Sequence, residues 1–236
     1  MCACTGPERH LERQPVALQH AARRRDHKQP RQVRHRWLRG QHALRHVRRA
    51  PGEDTEARWR FLLDGLSRFA GRPLALNEEV YASASATNHR NQSIARLLQA
   101  YGTIYLDPAE AAELDTRQCS LNVLAHDLAV MGATLADGGV NPLTKERVVG
   151  AQSCRDAMVV MATAGLYESS GDWLFDIGLP GKSGIGGGIV TVSPGKGALG
   201  TFAPPLDAAG NSVRGQLVAR FLSRSLGLDL FASPAP

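Results

Sequence analysis

The sequence predicts an α+β fold in which an antiparallel sheet is covered by helices. Apolar residues at helical spacing dominate residues 57–163, a glycine-rich stretch with strand character follows, and one more amphipathic helix comes near the end. A chain of 236 residues is also long enough to bury the core of one large domain. This class is predicted because the chain places several helices first, a meander of strands next and one helix last.

The predicted helices rest on apolar spacing and on residues that begin or end a helix. Gly71 is expected to end the first helix, and Asp107 with Pro108 to open a short one. Ser120 is predicted as the N-cap of the helix that runs to about Leu135. The predicted helices occupy residues 57–70, 91–101, 108–114, 120–135, 151–163 and 213–226.

The same spacing predicts which side chains face the core. Leu124 and Val159 are expected to be buried in their helices. The last helix is expected to pack on the sheet through Leu217, Val218, Phe221 and Leu222.

The glycine-rich run from Gly171 is the candidate wall of a site. Strands are predicted at about 173–177, 183–192 and 198–203, and ten glycines precede Phe202. A strand with this much glycine usually lets something approach its backbone closely. Three edge strands joined by permissive turns are the alternative interpretation.

The basic charge is confined to the first fifty residues. Residues 1–50 contain 12 Arg and 1 Lys against 3 acidic residues, whereas residues 51–236 carry 15 basic and 19 acidic residues. The segment has little apolar periodicity, so we expect it to be disordered. We favour a GC-rich coding region read in the wrong frame, ahead of a solvated tail or a basic arm that binds nucleic acid. Trp37 alone could stack on a base there, so a nucleic-acid partner is not expected.

Cysteines and hydropathy say little about function. Cys2, Cys4, Cys119 and Cys154 lack the spacing of a metal site, and Cys119 and Cys154 are expected to be buried thiols. No apolar run of membrane-spanning length and no secretory signal is evident, so a cytoplasmic location is expected.

Five blocks of the sequence carry a resemblance to a known family. They are VYASASATNHRN (80–91), LDTRQCS (114–120), DLAVMGATLADGGVNP (127–142), GLYESSG (165–171) and the glycine-rich run from Gly171. In this order they resemble the serine-dependent glutaminases, which share their fold with β-lactamases and penicillin-binding enzymes. The resemblance covers about residues 59–226 and implies a β-lactamase-like α/β fold whose N-terminal part is incomplete.

The resemblance also implies an activity and an organisation. The family hydrolyses L-glutamine to L-glutamate and ammonia through a serine acyl-enzyme, without a metal or a cofactor, and its members usually form dimers or tetramers. We therefore expect a partial catalytic domain over residues 53–228, after a basic segment at 1–52 and before a tail at 229–236.

The nucleophile of such an enzyme is not found. The chemistry needs Ser-x-x-Lys at the start of a helix, where one turn places the lysine beside the hydroxyl. The one literal match, Ser193-Pro-Gly-Lys196, contains a turn dipeptide and is predicted to join two strands. We therefore reject it as the nucleophile.

Of two substrate-binding positions that the resemblance implies, one carries the family's residue and the other does not. Asn91 is present and is expected to bind glutamine through its amide, although an N-terminal helix cap is the alternative role. Ala84 stands where the family has a glutamate for the substrate amino group. Around Asp115 the chain lacks two residues of the family pattern, one of them a site tyrosine.

The remaining site positions come from the last two blocks. The resemblance implies that Tyr167 assists proton transfer at the reacting amide, that Lys182 supplies positive charge, and that the Ile185 N–H contributes to an oxyanion hole. The alternative, structural roles are a buried tyrosine with a satisfied hydroxyl for Tyr167 and a solvated lysine at the start of a strand for Lys182. The sequence thus predicts a glutaminase relative with little or no activity; a non-enzymatic remnant or a binding protein is the alternative.

Overall fold

The described part of the chain places its helices before and after a small sheet. A computed structural model describes residues 51–104 and 106–233, so the predictions for the first fifty residues lie outside it. In this part the helices are α1 (Thr55–Ala70), α2 (Glu78–Thr87), α3 (His89–Ala100), α4 (Pro108–Cys119), α5 (Ala125–Ala136), α6 (Ala151–Ala164), α7 (Ser170–Ile177) and α8 (Val213–Ser225). The strands are β1 (Gly181–Ser183), β2 (Gly188–Ser193) and β3 (Gly197–Phe202).

The strands form one antiparallel meander. The order is β1-β2-β3, with Lys182 opposite Val190 and Val190 opposite Gly200. Helix α5 packs on one face of β2 and β3, and α8 packs on the other. The predicted α+β class with a helix-covered antiparallel sheet is therefore confirmed.

Several helix ends follow the predicted chemistry. The Asp54 carboxylate accepts the Ala57 N–H at 2.7 Å at the start of α1, and Gly71 ends that helix at φ 70°. Asp107 caps α4 ahead of Pro108, and the Ser212 hydroxyl accepts the Gly215 N–H at the start of α8. These caps fix where α1, α4 and α8 begin.

Ser120 is a corrected prediction. It ends α4 instead of opening the next helix, and its hydroxyl donates to the Thr116 carbonyl oxygen. Helix α5 begins later, where Asp127 accepts the backbone N–H of Leu124 at 2.7 Å. The acidic side chain one turn inside the helix does the capping that we had assigned to serine.

The predicted strand at 173–177 is wrong. These residues belong to helix α7, in which Trp173 and Ile177 are buried and Phe175 is 90% exposed. A strand would have placed all three on one face, whereas a helix places only the first and last together. Short apolar runs fit both patterns, so packing decided between them. The predicted strand at 183–192 is in fact the last residue of β1, a turn and most of β2.

Three expectations about buried faces are also wrong. Leu217, Val218 and Phe221 are exposed, because α8 meets the sheet through the small residues Gly215, Ala219 and Ser223. Leu124 is exposed at the start of α5 and Val159 is half exposed on α6. Small residues on the packed face let a helix lie close to a sheet, but the spacing of large apolar residues does not mark these small residues as buried.

Helices α1 to α4 form a separate layer that carries one part of the site. Helix α2, which we had not predicted as a helix, packs against α4: Asn88 donates to Thr116 and the Tyr81 hydroxyl to Glu113. Helix α3 packs on α4 through Leu98, whose side chain is fully buried. Within the described residues, no helix is long and apolar enough to cross a membrane.

Candidate active site

Tyr167 occupies a backbone conformation that its residue type rarely adopts. Its φ is 63°, in the left-handed region that side chains with a Cβ disfavour. The Ser170 hydroxyl accepts the Leu166 N–H at 3.0 Å and donates to the Tyr167 carbonyl oxygen at 2.8 Å. The turn between α6 and α7 is therefore held closed around the strained residue, as is common at functional sites.

A buried polar network ties this turn to the first strand. The Ser183 hydroxyl donates to Asn211 Oδ1 at 2.6 Å, and the Ser183 N–H donates to the Gly165 carbonyl oxygen at 3.2 Å. Asn211, which is fully buried, donates in turn to the Leu166 carbonyl oxygen at 3.4 Å. The segments bearing Tyr167 and Lys182 are thus fixed relative to each other.

Lys182, Tyr167 and Ile185 lie close to one another in the structure. Lys182 Nζ lies 5.0 Å from the centre of the Tyr167 ring. A Cβ on Gly210 would stand 3.6 Å from both the Tyr167 ring and Ile185 Cγ2, so these two side chains flank one glycine. The Gly210 backbone has φ 92°, so only glycine fits there without strain.

Ile185 lies in the turn between β1 and β2. The turn is closed by the Gly184 N–H, which donates to the Gly188 carbonyl oxygen at 2.9 Å, and Ile185 is 76% exposed. Among the described residues none accepts a hydrogen bond from the Ile185 N–H. The backbone donor is therefore available to an oxygen of a ligand.

Asn91 lies on α3 and belongs to a neighbouring polar group. Its amide Nδ2 donates to Asp115 Oδ2 at 3.4 Å, and because Asn91 is inside the helix, the alternative role as an N-cap is wrong. Asp115 is only 8% exposed, and burial raises its pKa to about 6. The site therefore contains a carboxyl group that titrates just below neutral pH.

Cys119 links the two groups electrostatically. Desolvation and the charge of Asp115 raise the pKa of Cys119, whereas the charge of Lys182 lowers it. The charges of both groups therefore act on the Cys119 thiol. The residue itself reaches solvent, which corrects our expectation of a buried thiol; Cys154 is buried as expected.

The rejected Ser-x-x-Lys match is a hairpin turn. Ser193 ends β2, Gly195 has φ 71°, and the Lys196 N–H donates to the Ser193 carbonyl oxygen at 3.0 Å. Lys196 Nζ donates away from the serine, to the Gly227 carbonyl oxygen at 3.1 Å. The rejection is confirmed, because neither side chain acts on the other.

Ala84 lies on α2, and its methyl side chain offers no polar atom to a ligand. It lies one turn after Tyr81 on α2 and one turn before Asn88, which directly follows that helix, and the side chains of Tyr81 and Asn88 both form hydrogen bonds with α4. The position is half-buried between them. No carboxylate is therefore presented at this point of the α2–α4 interface.

Sequence reasoning missed the residues that hold the site together. The sequence analysis assigned no place near the site to Asp115, Cys119 or Gly210. It also missed Ser183 and Asn211, which are buried and hold the site segments in position. The glycine in the Asp-Ala-Ala-Gly-Asn turn at 207–211 was the available signal for Gly210, since such turns need a left-handed residue. Within residues 51–104 and 106–233, no cluster of three or more His, Cys, Asp or Glu could hold a metal ion.

One known family matches most of this chain. The family model described as Glutaminase matches residues 40–231, starting earlier than the resemblance that we identified. The chain belongs to the glutaminase family. Glutaminase 2 of Yersinia pestis is 71% identical over 183 residues, which are 78% of this chain and 54% of that protein. A glutaminase of Mycobacterium ulcerans is 49% identical over 179 residues, covering 76% of this chain and 56% of that protein.

Solved structures of glutaminases share the fold. A probable glutaminase, ybaS, superposes with a TM-score of 0.80 at 43% identity, over 82% of this chain and 63% of that one. The Bacillus subtilis glutaminase YbgJ superposes with a TM-score of 0.77 at 28% identity, over 81% of this chain and 68% of that one. That structure is a covalent complex with 5-oxo-L-norleucine, formed by reaction of the protein with 6-diazo-5-oxo-L-norleucine. This chain spans about half the length of the curated relatives that it matches.

Proposed function

We propose that this chain carries part of the active site of a glutaminase that hydrolyses L-glutamine to L-glutamate and ammonia. The observation that carries the proposal is the convergence of Lys182 and Tyr167 beside the open N–H of Ile185, in a chain of the glutaminase family. A hydrogen-bond donor and a positive charge in one place suit the negative charge that develops on an amide oxygen during acyl transfer.

Each residue has a role in the proposed reaction. The Ile185 N–H donates to the substrate oxygen, Tyr167 transfers a proton to the leaving ammonia, and Lys182 stabilises the developing charge. Asn91 donates its amide to the substrate, from a helix whose packing on α4 fixes its position. A serine acyl-enzyme is the proposed intermediate, in keeping with the covalent complex that the Bacillus subtilis relative forms with a glutamine-like reagent.

We also propose that the chain with the printed sequence has little or no activity. No Ser-x-x-Lys pair lies on a helix among the described residues, and Ala84 offers no carboxylate for an ammonium group. Removing a nucleophile alone costs many orders of magnitude in rate. L-Glutamine remains the proposed small-molecule partner, in a cytoplasmic homodimer or homotetramer that needs no cofactor.

Titration calorimetry with L-glutamate, together with an ammonia-release assay, tests the proposal. The unaltered chain should bind L-glutamate weakly. Ala84→Glu should bind it at least about tenfold more tightly, because a hydrogen bond between charged groups contributes more than about 1.4 kcal/mol. Neither protein should release ammonia from L-glutamine at the rate of a full-length glutaminase. Ser83→Glu is the matched control, because it adds the same charge on the exposed side of α2.

The outcomes separate the two parts of the proposal. Ammonia release by the unaltered chain at the rate of a full-length relative would refute the proposed loss of activity. Equal binding by Ala84→Glu and Ser83→Glu would instead refute the assignment of position 84 to the ammonium group of the substrate.

A further inference from the structure

A cavity of about 270 Å³ lies between α8 and the sheet. It is on the face opposite α5, because Val190 and Val192 of β2 point toward Gly132 of α5 while the alternate residues point the other way. None of the proposed active-site residues lines it. Its apolar lining consists mainly of five leucines: Leu179, Leu199, Leu222, Leu226 and Leu228.

Two buried hydroxyl groups line this cavity without a hydrogen-bond partner. They belong to Thr191 and Ser193, which are 3% and 4% exposed and alternate along β2 so that both face α8. Ser223, in the same cavity, donates to the Ile177 carbonyl oxygen at 2.6 Å and is satisfied. An unsatisfied buried hydroxyl is costly, so a pair of them in one cavity points to a polar group that is bound there.

The charge beside the cavity indicates whether the bound polar group is an anion or a cation. Among the described residues that line the cavity, Lys196 is the one that carries a charge, and its Nζ contacts the Gly227 carbonyl oxygen at 3.1 Å. None of these described lining residues has a carboxylate, so the local field favours an anion.

We propose that this cavity binds a medium-chain monocarboxylate. The carboxylate accepts hydrogen bonds from the Thr191 and Ser193 hydroxyls near Lys196, and the alkyl chain lies among the leucines. Two residues span roughly 7 Å along a strand, a separation that a carboxylate with one hydrogen bond to each side bridges. Apolar cavities of ~150 Å³ already bind benzene, so this larger one has room for a short alkyl chain. The site is independent of the proposed glutaminase function.

Thermal unfolding of the full chain with octanoate, octanol and octylammonium tests the proposal. A ligand that binds the folded state raises Tm with its concentration, so octanoate should raise it most and octylammonium least. Equal shifts with the three compounds would mean adsorption of the alkyl chain to exposed apolar surface and would overturn the proposed anion site.

Variants of the polar lining sharpen the test. Ser193→Ala should weaken octanoate binding by about tenfold, because a hydrogen bond to a charged group is lost. Lys196→Met should also weaken it, because the positive charge near the carboxylate is removed. Thr163→Val is the matched control, since its hydroxyl is on exposed α6 and bonds within its own helix. Unchanged octanoate affinity in both lining variants would refute the assignment.

Thr191→Val should change stability and octanoate binding in opposite directions. The valine removes an unsatisfied buried hydroxyl and keeps the shape, so Tm without ligand should rise while octanoate binding weakens. If the hydroxyl only fills space, Tm rises and octanoate affinity is unchanged, and that result would overturn the proposal. If Thr191→Val does not fold, the Ser193→Ala and Lys196→Met comparison decides.

Discussion

Lys182 Nζ lies 5.0 Å from the centre of the Tyr167 ring, although fourteen residues of helix and turn separate the two in sequence. The contact depends on the left-handed backbone of Tyr167, because that conformation turns the chain between α6 and α7. A cation over an aromatic face is attracted by the ring. The strained backbone and the charged contact therefore belong to one arrangement.

Tyr167→Gly should be more stable than Tyr167→Ala by about 1 kcal/mol, because both variants remove the ring but only glycine adopts positive φ without strain. Urea unfolding followed by tryptophan fluorescence measures the difference, since Trp59 and Trp173 are buried. The same pair of substitutions at Glu168, which has no positive φ, is the control and should favour alanine. A preference for alanine at both positions would show that Tyr167 is not strained.

Gly165 is where helix α6 comes closest to β1. A Cβ there would stand 1.7 Å from the Gly181 carbonyl oxygen, which is backbone and cannot move aside. Gly165→Ala should therefore lower the free energy of unfolding by about 3 kcal/mol or more, as overpacking does. Urea unfolding checks this value.

Gly171→Ala provides the control for that substitution. Nothing lies within 4 Å of a Cβ at this position in α7, so alanine should be neutral or raise stability by up to about 1 kcal/mol. Similar losses in both variants would mean that helix α6 does not depend on the close approach at Gly165.

The sequence was informative where local chemistry decides the structure. The Asp107 side chain and the backbone freedom of Gly71 act within a few residues, and the helix ends at these two positions were predicted. The helical run 173–177 was predicted as a strand, because its apolar pattern is compatible with both structures until Phe175 is seen to point into solvent.

The candidate site divides in the same way. Tyr167, Lys182 and Ile185 were assigned to the site from short blocks of sequence, and they lie close together. Asp115 and Cys119 lie on α4, whose position depends on its packing against α1, α2 and α3. Contacts between elements far apart in sequence leave no local pattern. The orphaned hydroxyls of Thr191 and Ser193 were invisible for the same reason, since a missing partner is a property of the packed state.

Asp115→Asn should change the pH dependence of stability. Burial raises the pKa of Asp115 to about 6, so the folded state holds its proton more tightly than the unfolded chain between about pH 4 and pH 6. The charged form is therefore destabilising, and this penalty grows as pH rises through that range. Near pH 8 the asparagine variant should be more stable by up to about 3 kcal/mol, and near pH 4 by little.

Urea unfolding at several pH values measures that difference. Asp172→Asn, at an exposed position of α7, is the control and should give no such trend. A difference between Asp115→Asn and the unaltered chain that is the same at pH 4 and pH 8 would contradict the burial effect.

Asp127→Ala should cost the chain about 2–4 kcal/mol. Asp127 is 1% exposed, it accepts the Leu124 N–H at the start of α5, and it also accepts from Arg72 Nε at 2.8 Å. Removing it deletes a helix cap and leaves the Arg72 charge without its partner. Because Arg72 holds the pKa of Asp127 below its usual range, this stabilisation is present above that range and is lost as pH falls through the lowered pKa.

The double-mutant cycle of Asp127→Ala with Arg72→Met separates the two contributions. The coupling energy between the residues should fall in acid as Asp127 takes up its proton, whereas the cap contribution in the Arg72→Met background should remain near 1 kcal/mol. Asp156→Asn, an exposed carboxylate on α6, serves as the control. A coupling energy that stays constant from neutral to acid pH would contradict an ion pair between Arg72 and Asp127.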